Sequence, residues 1–403
     1  VSAQPASPRS GRAAILDAIR AAGSISRVEL VRSTGLTGAT VSTTVRRLIE
    51  EGLVVETGRG RSTGGKPRTQ LSLDPQARYA VGVHLDQAGI TYVIADLGGG
   101  VVGRWRTAGL GADAPPAVVQ RIADEVRGLL QGIGTPQDRV LGLGVVAPGP
   151  LTPAAGMVLT PPVMQRWTRF PLAAALEDAT GFPVLLDNDA TAAAVGEYWG
   201  GSVVPTTAFA ALYMGTGLGA GILVDGVVYR GASSNAGEVG HVCVQLDGPE
   251  CWCGSRGCIE AVAGTAAVVA EARAEGLLPS PASGRSVLDD FATLTRIALR
   301  GDVRAEAIMQ RSARYVAVAA QALTNLMDLD LVVLTGPAFG MAGSLYLPVV
   351  QRRLTASSFA RRSHPVRATV SANAPDAAAV GAAALVLQTE LTPIRGVRSS
   401  ALV

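Results

Sequence analysis

Between Asn235 and Glu260 the chain gathers His241, Cys251, Cys253 and Cys258 in the pattern H-x9-C-x-C-x4-C, with Glu238 and Glu260 on either side. One imidazole and three thiolates are the soft donors that close a tetrahedral zinc site. A disulfide pair is the competing chemistry. It is disfavoured because all four cysteines fall within sixteen residues, and Cys251 and Cys253 are too close for an easy mutual bridge. Gly254 and Gly257 permit the tight turns that point successive sulfurs at one centre. Cys243, the remaining cysteine, is read as a small buried apolar residue. A structural zinc would hold this loop rigid and leave the two carboxylates available to bind something else.

A second group with chemical potential is Asp187-Asn188-Asp189, which ends an apolar strand (184–186) and leads into a helix over 190–198. A carboxylate in that place serves either as a general base towards a hydroxyl or simply as a helix cap. Glycine-rich turns such as Gly215-Thr216-Gly217-Leu-Gly219-Ala-Gly221 suit phosphate, although similar turns join strands in proteins that bind no nucleotide.

The stretch Asn235-Ala-Gly-Glu238-Val-Gly-His241, followed by Cys251-Trp-Cys253-Gly-Ser-Arg-Gly-Cys258-Ile-Glu260, resembles the signature of the ROK family of repressors, open reading frames and sugar kinases. The resemblance extends from about Ala80 to Gln388 and includes the spacing between every ligand. It implies that Glu238, His241 and Glu260 contact sugar hydroxyls, with zinc held by the other imidazole nitrogen. It also implies that Asn188 and Asp189 belong to the sugar site, and that Ala147-Pro148-Gly149-Pro150 lies beneath the sugar. In kinases of the family the residue matching Asp189 is the general base; here Asp189 is expected to be vestigial.

Three departures from the family pattern matter. The asparagine expected shortly before Trp167 is missing from Pro162-Val-Met-Gln-Arg166, so sugar selectivity is not inherited. The first phosphate loop, Gly-x-Asp-x-Gly-Gly-Thr in kinases, reads Gly82-Val-His84-Leu-Asp86-Gln87-Ala88, which puts a carboxylate where phosphate oxygens would sit. The adenosine-side motif is altered to Thr335-Gly336-Pro337. Sugar recognition without phosphoryl transfer is therefore expected.

The elements that position these groups follow a basic leader. Residues 1–70 carry eleven Lys/Arg against five Asp/Glu, whereas the remainder of the chain is slightly acidic. The basic end is the candidate nucleic-acid end. A helix over 12–22 places Ile15, Ile19 and Ala22 on one face; Ser26-Arg-Val-Glu29 is a capping box opening a second helix; Thr37 caps a third helix running to Glu51. Val41, Val45 and Leu48 must face inward on that third helix. Thr37, Thr40, Thr43, Arg46 and Arg47 then stand on its outer face, small groups for close groove approach and guanidiniums for phosphates. Strands over 53–56 and 69–73 enclose a glycine-rich tip bearing Arg59, Arg61 and Lys66, suited to a minor groove or the backbone. This is a winged helix-turn-helix; a solvated basic hairpin serving a protein partner is the alternative.

Beyond Asp74-Pro75, strands at 79–85, 91–96, 101–107 and 140–146 alternate with a helix over 117–131, and a second cycle begins near Thr206. The fold class is α/β: a winged helix-turn-helix (1–74), then a two-lobed actin-like, ribonuclease-H-like sugar-kinase fold. Its smaller lobe is 75–187, its larger lobe 188–375, a closing helix over 376–388 returns to the smaller lobe, and 389–403 forms a loose tail. No stretch has the length and apolarity of a membrane span, and the clustered reduced cysteines suit the cytoplasm. The expectation is a zinc-containing, sugar-responsive regulator, homodimeric or homotetrameric, that binds operator DNA and a monosaccharide or sugar phosphate. An active sugar kinase and a regulator switched by a protein partner are the alternatives.

Overall fold

The computed structural model describes residues 11–59, 68–111, 113–152, 156–157, 162–200, 203, 208–280 and 285–391. The N-terminal unit comprises α1 (Gly11–Ala22), β1 (Ile25–Ser26), α2 (Arg27–Thr34), α3 (Gly38–Glu50), β2 (Val54–Arg59) and β3 (Thr69–Leu73). Ser26 and Glu29 close a reciprocal capping box on α2, and the Thr37 hydroxyl accepts the Thr40 amide at the start of α3. These bonds satisfy amide groups that a helix start otherwise leaves open, which fixes both starts at the residues the sequence marks. Val41, Val45 and Leu48 pack inward with Ile15, Leu16, Ile19 and Leu30. Ala22 is exposed, contrary to its predicted place on the buried face; Leu16 occupies that face because α1 ends at Ala22 and the chain turns away at Gly23, φ 68°. The sheet order β1-β3-β2 adds a short strand that the sequence does not announce.

The first lobe contains β4 (Tyr79–Leu85), β5 (Gly89–Asp96), β6 (Val101–Ala108), α4 (Pro115–Gly132), β7 (Val140–Ala147), β8 (Leu151–Thr152), β9 (Gly156–Met157), α5 (Leu172–Thr180) and β10 (Val184–Asn188). An antiparallel meander, β4-β5-β6, is extended by parallel β7 and β10 in the order β10-β7-β4-β5-β6. The strands β4, β5 and β7 are buried along almost their whole length, as expected for a sheet covered on both faces.

The second half begins with α6 (Asp189–Trp199) and continues through β11 (Ala208–Met214), β12 (Leu218–Val224), β13 (Val227–Val228), α7 (Ile259–Ala263), α8 (Thr265–Ala274), α9 (Val287–Leu299), α10 (Val303–Met327), β14 (Leu331–Thr335), α11 (Pro337–Ser357), β15 (Arg367–Val370) and α12 (Ala377–Leu391). Its sheet, β13-β12-β11-β14-β15, repeats the combination of antiparallel hairpin and parallel strands. One apolar cluster joins this sheet to helices α8 to α11. The alanine-rich α12 lies against α6 and against β4 and β7 of the first sheet. Backbone approaches backbone there: a side chain at Gly381 would collide with the Ala192 carbonyl. Residues 389–391, expected in the tail, continue α12, since nothing breaks the helix before Pro393. The rest of that tail lies outside the described residues.

The winged unit is not loosely tethered. Its core merges with side chains of α6 and α12 into a single apolar cluster. From α1, the Arg20 guanidinium donates to the Trp199 carbonyl at 3.3 Å, stacks 4.4 Å from the Trp199 ring and pairs with Asp17 at 3.0 Å. Cation–π and carbonyl contacts thus anchor the winged unit to the C-terminal end of α6. Among the described residues, no helix is long and apolar enough to cross a membrane.

Candidate functional site

His241 closes a short helical turn after Glu238, and the chain then follows the surface to a tight loop carrying Cys251 and Cys253 before Cys258 caps α7. The four ligand atoms of His241, Cys251, Cys253 and Cys258 lie within 4.8 Å of one another. Cys251 Sγ is 3.5 Å from His241 Nδ1, and Cys253 Sγ is 3.8 Å from Cys258 Sγ. Zinc bond lengths in a tetrahedron require edges of about 3.5 Å for N···S and about 3.8 Å for S···S, so the donor set fits that ion. All the cysteines are free thiols. Burial pushes the Cys251 thiol up to about 12 and raises that of Cys258, so without an ion both retain their protons. Cys243 is exposed, contrary to expectation. It pairs with Cys258 in an isolated antiparallel bridge on a surface run in which Val242, Gln245 and Leu246 are exposed too, so its small size does not earn it a place in the core.

With Nδ1 turned to the sulfurs, the rest of the imidazole faces a cleft of about 400 Å3. Asn188, Asp189, Glu238, His241 and Glu260, all expected in the sugar site, line this one cleft together with Pro148 and Gly149. The Glu238 carboxylate lies so close over Gly149 that a Cβ there would stand 2.6 Å from its Oε1. Burial, with Asp189 and Glu260 nearby, raises the Glu238 carboxyl to about 7. The carboxylate of Glu260 is held at both oxygens: it accepts the Leu218 amide at 2.8 Å and the Trp252 indole N–H at 2.6 Å. That indole also meets His241 edge to face, with centroids 5.0 Å apart.

Capping of α6 falls to Asn188, whose Oδ1 accepts the Thr191 amide at 3.0 Å. Asp189 Oδ1 accepts its neighbour's amide at 2.7 Å, while Oδ2 stands 3.7 Å from His84 Nε2. Asp187 points elsewhere, into a bidentate pair with Arg230 at 3.0 and 2.7 Å. Sequence reasoning passed over several lining residues, Tyr213, Ala267 and Val287 among them. Trp252 carries a recognisable signal, an aromatic ring between two metal ligands; Met164, in the segment where the expected asparagine is missing, carries none.

At the other end of the cleft, Asp86 is buried. Its Oδ1 accepts the Ala88 amide at 3.0 Å and its Oδ2 the Thr216 hydroxyl at 3.3 Å. Thr265 in turn donates its hydroxyl towards the carbonyls of Gly215 and Thr216, both at 3.1 Å, and so pins the start of α8 to the glycine-rich turn.

On α3, Thr37, Thr40, Thr43, Arg46 and Arg47 are all exposed. Thr37 spends its hydroxyl on the cap and lies 2.9 Å from that of Thr40. Arg59 is the last residue of β2, and Arg61 and Lys66 lie outside the described residues.

A winged reading head fused to a two-lobed, sugar-kinase-like fold, with a His–Cys cluster bordering the cleft, defines the class. Comparison with known proteins narrows it. A winged helix-turn-helix DNA-binding profile matches residues 13–55, and the ROK family profile matches residues 82–389. The chain belongs to the ROK family. It is 28% identical over 375 residues to the xylose repressor of Caldicellulosiruptor bescii, covering 91% of this chain and 93% of that protein. The crystal structure of a ROK family transcriptional regulator, a homolog of the E. coli MLC protein, superposes with a TM-score of 0.73 at 25% identity, covering 94% of this chain and 95% of that one. A ROK glucokinase from Streptomyces griseus, crystallised with glucose and AMPPNP, gives 0.64 at 27% identity over 76% of this chain and 98% of its own. The last covers less of this chain.

Proposed function

We propose that the protein is a sugar-responsive transcriptional repressor of carbohydrate genes, acting in the cytoplasm as a homodimer or homotetramer. The observation that carries this reading is the continuity between the two machines: α6 starts at the sugar-site residues Asn188 and Asp189 and ends on Arg20 of the winged helix. A relative named as a repressor and a solved structure named as a transcriptional regulator, each matched along most of the chain, support it. In this reading Asn188, Asp189, Glu238, His241 and Glu260 bind sugar hydroxyls, and a zinc ion at His241, Cys251, Cys253 and Cys258 supplies rigidity alone. Thr37, Thr40 and Thr43 approach the major groove, Arg46 and Arg47 hold phosphates, and Arg59, Arg61 and Lys66 act from the wing. The sugar acts because it prefers one arrangement of the lobes, and the operator prefers another.

Phosphoryl transfer is left out of this reading. Asp86 takes the Thr216 hydroxyl that would meet a phosphate, and Asp189 is flanked by His84. The test uses full-length protein on operator DNA selected from a random pool. Monosaccharides that raise the melting temperature should change operator affinity, and Arg46→Ala or Arg47→Ala should weaken binding while lowering the salt slope by about one. Sugar-dependent turnover of ATP that is abolished in Asp189→Asn would establish a kinase instead.

A further inference from the structure

The cleft does not stop at the sugar residues. Past Leu218 it runs on between the glycine-rich turn and the first turns of α8 and α9, where Thr216, Ala266, Ala267 and Val287 line it. These side chains are short and mostly apolar, so the space offers shape and dispersion contacts but few polar partners. Among the described residues, the charged side chains that line the cleft are all acidic: Asp189, Glu238, Glu250 and Glu260. Arg106 of β6 packs across Gly89 at the rim and does not line the cleft, although its charge reaches Tyr213 and Asp289.

An anion is therefore poorly served here. The uncapped start of α8 contributes the equivalent of about half a positive charge. Against it stand two carboxylates that face the glycine-rich turn: Asp86, bonded to Thr216, and Glu260, whose Oε2 would be 2.9 Å from a Cβ at Gly217. Asp86 already takes the hydroxyl that would serve a phosphate oxygen. At about 400 Å3 the whole cleft falls in the range of sites that enclose ligands of drug size.

We infer that this far end is a second ligand compartment, taking an uncharged and largely apolar substituent joined to the sugar, so that the effector is a glycoside and not a free sugar or sugar phosphate. The inference rests on the sugar-sensor reading and adds to it the class of effector. The sugar end fixes the glycone through hydroxyl contacts; the far end selects what is attached to it.

Calorimetric titration of the full-length protein tests this with glucose, xylose and N-acetylglucosamine, each as free sugar, as both anomers of the p-nitrophenyl glycoside, and as the terminal phosphate. For whichever sugar binds, one aryl glycoside should bind at least about tenfold tighter than the free sugar, and the phosphate should not compete. Ala267→Phe, which fills the compartment, should erase that gain while leaving the free-sugar Kd within about twofold; Ala266→Leu serves the same purpose if the first variant melts early. A free sugar that binds with no gain for either glycoside, a gain that survives both substitutions, or a phosphate that binds tighter overturns the inference and leaves the sugar sensor standing. Failure of every probe overturns both.

Discussion

The two ends of the cleft use the same residue type to opposite effect. At the end beside the His–Cys cluster, Glu260 is aimed by an indole and an amide, and Glu238 is crowded until its carboxyl rises to about 7. Both acids keep lone pairs that a polyhydroxylated ligand can use, and burial disfavours the ionised form of Glu238. Asp86, at the other end, is buried with both oxygens already bonded by its own chain. Glu260 also accepts one bond at each oxygen from its own chain, so the number of internal bonds is not what separates it from Asp86. Glu238 and Glu260 line the cleft, whereas Asp86 is buried behind it, and only a carboxylate with lone pairs facing the cleft can serve a ligand.

Substitutions can break this contrast. The largest effect is expected at the metal. Cys253→Ser should lower the zinc content measured by mass spectrometry from one per chain to near zero and abolish sugar binding, because the ion's binding free energy, about 10 kcal/mol or more in small zinc domains, is what orders the loop. Glu238→Ala or Glu260→Ala should come next, weakening sugar binding about 100-fold in calorimetry through lost charge-assisted hydrogen bonds. Raised from 4.5 to about 7 in the folded protein, the Glu238 carboxyl contributes stability fully below about 4.5 and loses it as pH rises through about 7. The melting temperature of ligand-free protein should accordingly drop by a few degrees between pH 5 and pH 8, and Glu238→Gln should remove that part of the drop. Trp252→Phe keeps the ring but frees Glu260 and should cost about tenfold in affinity with zinc content unchanged. Smallest of all, Asp86→Asn should alter sugar affinity by less than about threefold; a large loss there would erase the distinction between the two ends.

Most of what could be read from the sequence was local. The capping box at Ser26 and Glu29, the Thr37 cap and the inward phase of Val41, Val45 and Leu48 depend on spacings of three or four residues. The His241 and Cys251 to Cys258 cluster and the acids beside it carry their geometry in one short loop, and the family resemblance supplied the partners Asn188 and Asp189. Less visible were pairings set by topology. Thr216 reaches Asp86 across 130 residues of chain, and Arg20 meets Trp199 across 179. Neither has a local signal. Cys243 and Ala22 depart from expectation for the same reason: residue type and helical phase favour burial, but the path of the chain past them decides their exposure.

The helix α6 has one end in the cleft and the other under Arg20, with no break along its eleven residues. At 1.5 Å per residue it measures about 16 Å. A tilt of about 10° about its N-terminus would carry its far end through roughly 3 Å, close to the 3.4 Å spacing of bases along a DNA strand. Because α6 and α12 touch backbone to backbone at Ala192 and Gly381, such a tilt must carry α12 with it, and in the proposed repressor it would hand the winged unit a displacement close to one base step.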